Sequence, residues 1–279
     1  MSLGKKRTIV RDWHPLETGV FTDRKKFKIG VTGVGKGAGA TFVSAALAVQ
    51  MGSIVDGVSY VEGTVHMKGS PQPFHLLGLD NIKRNYPDYY LNQKDGMEPF
   101  SKINIYKNVN WVVCPPNANY SQSAEYCRQH PDYLKIGGRY LIIDSPPMNE
   151  MNEMDLIVAI VDPLPSRVKG GLETFARINE KHNIPVLWVL NKDSRYSNRR
   201  ELERFLKIHF DYSIRMFPEE LFYKCEYYGI NKFTEAVEWE VTEKKANDFS
   251  HIVEGILRRI PEEINFKKEP FFTNSSQDK

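Results

Sequence analysis

The sequence predicts an α/β chain: a doubly wound, mostly parallel sheet with helices on both faces. Three observations predict it. Apolar runs such as Leu141–Ile143 and Ile157–Val161 do not alternate with polar residues, which suits strands buried on both faces. These runs alternate along the chain with amphipathic stretches, the order expected of strand–helix–strand crossovers. The first apolar run passes through a glycine-rich turn straight into a helical pattern that starts at Thr41.

In chain order, the apolar runs place strands at Phe27–Thr32, Val58–Glu62, Asn110–Cys114, Tyr140–Asp144, Leu156–Val161 and Val186–Asn191. Amphipathic spacing places helices at Thr41–Gln50, Ser121–His130, Lys169–His182, Asn198–His209, Glu219–Tyr228 and Asp248–Ile260. Residues 1–26 are polar and of mixed charge, and read as an extension ahead of the first strand. Residues 27–260 read as a single domain. Residues 65–108, rich in Pro, Asn and Tyr, read as a surface excursion. Residues 261–279 end in Asn-Ser-Ser-Gln-Asp-Lys and read as a flexible tail.

Hydrophobic residues make up 41% of the 279 positions and charged residues 26%, so a core of ordinary size needs no disulfide or metal staple. The net charge of +3 argues only weakly for a nucleic-acid or membrane partner. Cys114, Cys127 and Cys225 form no C-x-x-C pair, and no apolar signal core follows the basic N-terminus, so a cytoplasmic protein is expected. The histidines show no H-x-x-x-H or H-x-H spacing, and no metal site is assigned to them.

The glycine run Gly33-Val-Gly-Lys-Gly-Ala-Gly-Ala-Thr41 carries the most chemistry. A glycine-rich turn feeding a helix gathers backbone N–H groups and a helix N-terminus around one point, the arrangement that holds a phosphate. Against the pattern G-x-x-x-x-G-K-[ST] the run has two registers. One matches Gly30 to Gly35-Lys36, puts Gly37 at the hydroxyl position and starts the loop inside the first strand. The preferred register uses Gly39 as second glycine and Thr41 as hydroxyl; Val34 then replaces the first glycine and Ala40 the lysine. Lys36 sits on the loop and could approach phosphates from another angle. A plain glycine-rich turn without ligand is the competing reading.

Downstream, the strand at Tyr140–Asp144 ends in an Asp followed by Ser-Pro-Pro. A carboxylate at the carboxyl end of a parallel strand faces the ligand crevice, where Asp144 could hold magnesium beside Thr41. The strand at Val186–Asn191 ends in Asn191-Lys192, and an amide there could pair with adenine. A turn-forming Asp and a turn-forming Asn are the alternatives.

Loop, then strand-Asp-x-Pro-Pro, then strand-Asn-Lys, in this order and spacing, resembles the ParA/MinD family of P-loop ATPases, with its deviant phosphate loop, over roughly residues 27–260. Val109–Pro116, Asp155–Ser166 and Phe217-Pro218 with Tyr223–Gly229 resemble further segments of that family. The resemblance implies a P-loop NTPase-like fold, binding of ATP or ADP with Mg2+, and a nucleotide-dependent homodimer that switches a protein partner, DNA or a membrane. Carried over position by position, it implies a loop of Gly35, Lys36, Gly37, Ala38, Gly39 and Ala40. Thr41 and Asp144 are the implied metal residues, Lys36 and Asp144 the implied catalytic ones, and Asn191 and Pro218 the implied base contacts.

The sequence departs from the family at three places. Ala40 replaces the phosphate-binding lysine. Gly35 stands where the family's second lysine falls, with Lys36 one position later. Glu62-Gly63-Thr64 replaces Asp-x-Asp, so the second carboxylate is missing. Phosphoryl transfer depends on positioned charge and an aligned water, whereas binding can rest on backbone N–H groups alone. The expected function is therefore an ATP-binding switch or assembly factor with weak or absent hydrolysis. The alternatives are a non-catalytic scaffold for protein–protein contacts and a small-molecule phosphotransferase. Two further stretches have a structural and a functional reading, the structural one preferred. Ile252, Val253, Ile256, Leu257 and Ile260 form a face that docks on the sheet rather than on a membrane surface, and Arg195, Arg199, Arg200 and Arg204 form a solvated charged face with Glu201 and Glu203 rather than a DNA-phosphate contact.

Overall fold

The computed structural model describes residues 26–63, 76, 105–106, 108–113, 133, 136–180, 183–228, 248–262 and 264. Among these, eight strands form one sheet: β1 Phe27–Gly33, β2 Val58–Glu62, β3 Ile105–Tyr106, β4 Val109–Val112, β5 Tyr140–Asp144, β6 Leu156–Val161, β7 Val186–Asp193 and β8 Tyr212–Arg215. Their order across the sheet is β3-β4-β2-β5-β1-β6-β7-β8. Every pairing is parallel except that of the two-residue β3 with β4. The helices are α1 Ala40–Gly52, α2 Pro165–Gly170, α3 Leu172–Asn179, α4 Arg199–Leu206, α5 Glu219–Tyr228 and α6 Asp248–Leu257. The predicted doubly wound, mostly parallel sheet is the one observed.

Each face of the sheet carries its own core. Along β6, Leu156, Val158 and Ile160 join the cluster under α1 and α6, while Ile157, Ala159 and Val161 join the opposite one with Ile178 of α3 and Leu202 and Leu206 of α4. Side chains two apart share a face of a strand, so a strand covered on both sides must be apolar at every position. That is why the run Leu-Ile-Val-Ala-Ile-Val does not alternate. Helix α1 is buried along nearly its whole length, from Val43 to Val49 and again at Met51, because it is covered by the sheet below and by α6. Ile252, Val253, Ile256 and Ile260 pack into this same layer, as expected of a docked closing helix.

Besides shifts of one to three residues at the ends of other elements, these differ from the sequence-based expectation. The helix expected over Lys169–His182 is two helices, α2 and α3, separated at Gly171. Strand β7 continues two residues beyond Asn191 to Asp193. Strands β8 and β3 were not expected. The helix expected at Ser121–His130 and the excursion between Val65 and Asn108 lie outside the described residues, apart from Leu76, Ile105, Tyr106 and Asn108. So do the N-terminal extension up to Lys25 and nearly all of the tail. Among the described residues, no helix is long and apolar enough to cross a membrane. Of the arginine cluster, Arg199 is spent within the fold, on Glu203 (3.1 Å) and on the carbonyl of Phe210 (2.6 Å).

Candidate functional site

The parallel register brings the carboxyl ends of the central strands to one edge. Val31 pairs with Asp144, Glu62 pairs with Asp144, Gly33 pairs with Ile160, and Val161 pairs with Leu190. Strand β1 lies between β5 and β6 and leads into the glycine loop. The loop therefore has one flank made by β5 and β2 and another made by β6 and β7.

Two contacts start the loop. The Val34 N–H donates to the carbonyl of Ile160 (2.8 Å), extending the β1–β6 ladder by one residue. The Val34 carbonyl then lies against Gly171, so close that a Cβ there would come to 1.5 Å from the oxygen. This contact explains the break between α2 and α3: the chain at position 171 is pressed on the loop backbone and only glycine fits. The loop ends at Gly39, the N-cap of α1, at φ 91° and ψ 23°, a left-handed conformation that a residue with a Cβ seldom adopts.

From the β6/β7 flank three side chains donate to three consecutive loop carbonyls. Arg167 Nη1 donates to Lys36 (3.1 Å), Lys192 Nζ to Gly37 (2.7 Å) and Asn191 Nδ2 to Ala38 (2.7 Å). Asp162, at the end of β6, ties two of them together. Its Oδ2 accepts from Lys192 Nζ at 2.8 Å and lies 3.5 Å from Arg167 Nε, and its Oδ1 accepts the Leu164 N–H (3.0 Å). With its carbonyls held from outside, the loop makes one internal bond, from the Ala38 N–H to the Gly35 carbonyl (3.1 Å). Among the described residues, the N–H groups of Gly35, Lys36, Gly37, Gly39, Ala40 and Thr41 donate to no protein group.

The β2/β5 flank is acidic and buried. Asp144 is fully buried, and Glu62, its register partner on β2, is nearly so. Asp144 Oδ2 accepts from the Tyr60 hydroxyl (3.0 Å) and Oδ1 from the Ser145 hydroxyl (3.1 Å). The Tyr60 hydroxyl also meets Ser44 on α1, whose own hydroxyl donates to the Thr41 carbonyl (2.9 Å). Burial pushes the Tyr60 phenol well above its ordinary range, and the neighbouring Asp144 and Glu62 carboxylates add to the shift. Tyr60 is thus a neutral donor that ties Asp144 to the first turn of α1.

The expected residues divide accordingly. Gly35, Lys36, Gly37, Ala38 and Gly39 form the loop; Ala40 and Thr41 are the first residues of α1, both half-buried; the Lys36 side chain is exposed. Asp144 lies beneath the same helix turn, through Tyr60 and Ser44. The Asn191 amide is turned to the loop backbone, with Nδ2 on Ala38 and Oδ1 accepting the Lys192 N–H (2.9 Å). One N–H and one lone pair of that amide are uncommitted by these bonds. Pro218 is exposed just after β8, three strands from β1 and so about 14 Å along the same edge. Asp162, Arg167, Lys192 and Tyr60 were not anticipated. A signal existed for two of them: Asp162 ends an apolar strand run as Asp144 does, and Lys192 adjoins Asn191.

The hydroxyl of Thr41 and the carboxylates of Asp144 and Glu62 are hard oxygen donors of the kind Mg2+ takes. Among the described residues, no group of three or more His, Cys, Asp or Glu side chains forms a metal cage.

No protein-family model and no curated protein sequence matches the chain. Solved structures do. A chain of the MinC:MinD cell division protein complex of Aquifex aeolicus matches 87% of this chain and 98% of its own, at a TM-score of 0.57 and 13% identity. MinD of Pyrococcus horikoshii, complexed with Mg-ADP, matches 84% of this chain and 96% of its own, at 0.57 and 17%. A plasmid partition protein of Borrelia burgdorferi bound to AMPPNP matches 85% of this chain and all of its own, at 0.55 and 14%. Over most of its length the chain has the α/β fold of the MinD/ParA P-loop ATPases.

Proposed function

We propose that this chain binds ATP or ADP at the β1–α1 loop and acts as a nucleotide-dependent switch or assembly factor, with hydrolysis weak or absent. The observation that carries the reading is the loop itself. Its carbonyls are engaged from outside by Arg167, Lys192 and Asn191, while N–H groups from Gly35 to Thr41 donate to no described protein group. Any helix start leaves N–H groups such as those of Ala40 and Thr41 without a partner; the loop adds those of Gly35, Lys36, Gly37 and Gly39 to them, so that several donors gather at one place. Here they stand at the N-terminus of a thirteen-residue helix, whose dipole favours an anion.

In this reading the loop amides hold the phosphates. Thr41 and Asp144 face the Mg2+ that travels with the nucleotide, which neutralises phosphate charge. Asn191 offers its remaining amide valences to adenine, and Pro218 borders the base. Lys36 reaches the phosphates from the loop crest. Hydrolysis is impaired because Ala40 cannot supply a lysine and Glu62-Gly63-Thr64 lacks the second carboxylate. Loss of one such group typically lowers the rate by about 10²–10³. A nucleotide-dependent homodimer in the cytoplasm, acting on a protein partner, completes the proposal. The solved relatives bound to Mg-ADP and AMPPNP support it by fold alone.

Calorimetric titration of ATP and ADP, with and without magnesium, tests it. The expected result is one nucleotide per chain, tighter with magnesium, and phosphate release far slower than binding. Absence of binding to either nucleotide would leave the protein–protein scaffold as the better reading. Turnover that requires an added small-molecule acceptor would favour the phosphotransferase.

A further inference from the structure

The site lacks a lysine at position 40, yet cations surround its loop. Arg167 and Lys192 each donate to a crest carbonyl, and both are anchored on the one carboxylate of Asp162. On this flank the two cations outnumber the one carboxylate that anchors them. The arginine also covers the crest: its Nη1 lies 1.9 Å from where a Cβ on Gly37 would be. Asp162 is buried, with 2% of its side chain exposed, whereas Arg167 and Lys192 keep 38% and 32%. Their tether is fixed while their charge reaches solvent at the mouth of the loop.

We propose that Arg167 and Lys192, anchored by Asp162, replace the missing lysine at position 40 as positioning residues for a polyphosphate. They turn the Lys36 and Gly37 carbonyls away from the seat. They also leave one positive charge in excess of Asp162 beside the seat, supplied from α2 and β7 rather than from α1. The ligand class they select is a polyphosphate, because what they bring to the loop is charge; the nucleoside part follows from the nucleotide reading on which this rests. The inference rests on the nucleotide reading above and adds to it the source of the charge.

The test titrates ADP, adenosine and inorganic triphosphate into the full chain at two salt concentrations. Arg167→Ala and Lys192→Ala should each weaken ADP and triphosphate by about tenfold, the scale of one charge-assisted contact. Adenosine binding should not change, and the salt dependence of ADP binding should flatten. Lys192→Arg and Arg167→Lys should retain most of the affinity. Ala40→Lys should raise ADP affinity more in the Arg167→Ala/Lys192→Ala background than in the wild-type chain, because only there is the charge missing.

Three results would overturn the proposal. One is equal loss of ADP and adenosine without rescue by the conservative variants, which would make the pair purely structural. Another is unchanged ADP affinity in both alanine variants while the wild type binds; the nucleotide reading would then survive alone. The third is a wild type that binds neither ADP nor triphosphate, which removes both. Should either alanine variant fail to fold, Arg167→Gln and Lys192→Gln, which keep a donor and drop the charge, decide. A flattened salt dependence of ADP binding supports the proposal, and a salt dependence equal to that of the wild type overturns it.

Discussion

The two flanks of the glycine loop solve opposite problems. On the β6/β7 flank, half-exposed cations and one amide donate to loop carbonyls, and the buried carboxylate of Asp162 tethers the two cations. On the β2/β5 flank, Asp144 and Glu62 are buried, and the hydroxyls of Tyr60 and Ser145 donate to Asp144. One flank therefore fixes the backbone of the loop and the other fixes a carboxylate. A buried carboxylate needs hydrogen-bond donors around it, and the Tyr60 and Ser145 hydroxyls are such donors. A loop with N–H groups turned inward needs its carbonyls occupied elsewhere, and the cationic flank does so. The loop amides lie between these arrangements, and each flank can be removed separately.

The largest expected effect comes from breaking the seat on which the cationic flank rests. Gly171→Ala would put a Cβ 1.5 Å from the Val34 carbonyl oxygen and 3.0 Å from Gly35 Cα, both backbone atoms that cannot swing aside. Relief requires moving the α2–α3 junction or the loop, and overpacking of this severity costs about 3 kcal/mol or more. Urea unfolding should show that loss, and the folded fraction should bind ADP weakly because Arg167 moves with α2. A Gly171→Ala chain as stable as the wild type would mean the loop is not seated on this junction.

Next is Tyr60→Phe, which acts on the acidic flank alone. It removes the hydroxyl that bonds Asp144 and leaves a buried carboxylate with one fewer donor, a loss of about 2 kcal/mol for a bond to a charged group. ADP binding without magnesium should be unchanged, and the gain on adding magnesium should shrink. The alkaline limb gives an independent check. A phenol whose folded pKa lies above its unfolded value of about 10 contributes stability that is intact below that pH and lost as the pH rises through the folded value. The wild type should therefore weaken above about pH 10, and Tyr60→Phe should weaken less steeply. The slope will not vanish, because Tyr133, buried and donating to Glu150, and Tyr140 are raised as well.

How far each flank could be read from the sequence differs for a physical reason. Asp144 was legible because a strand buried on both faces advertises itself as an unbroken apolar run, and the polar residue that ends it stands at the crevice. The same logic applies to Asp162 and Asn191, but Arg167 and Lys192 gain their role only when β6 and β7 are brought beside β1, which no local pattern records. Gly171 was hidden similarly: the helix periodicity runs through it, and the carbonyl that forbids a side chain there comes from Val34, far away in sequence. Strand β8 escaped notice because Tyr212-Ser-Ile-Arg is half-buried, with only Ile214 in the core, and so lacks the apolar run of the inner strands. Ala40 was legible at once, since a missing lysine shows in the sequence; what compensates for it does not.

The smallest effect is expected for Lys36→Ala, and it sharpens the comparison most directly. Lys36 carries its charge on an exposed residue at the loop crest, with its ammonium in no ion pair among the described residues; its backbone carbonyl, not its side chain, is what Arg167 holds. Exposed charges are screened by solvent and salt, so its removal should weaken ADP binding by less than about threefold in dilute protein, corresponding to the 0–1 kcal/mol typical of exposed pairs. Titrations at low and high protein concentration separate two outcomes. A loss that grows with concentration would place Lys36 at an interface between two chains, where burial strengthens its charge, and would leave the division between flanks intact. A tenfold loss in dilute protein would instead move the phosphate charge from the β6/β7 flank onto the loop itself, and Arg167 and Lys192 would be left with the carbonyls alone.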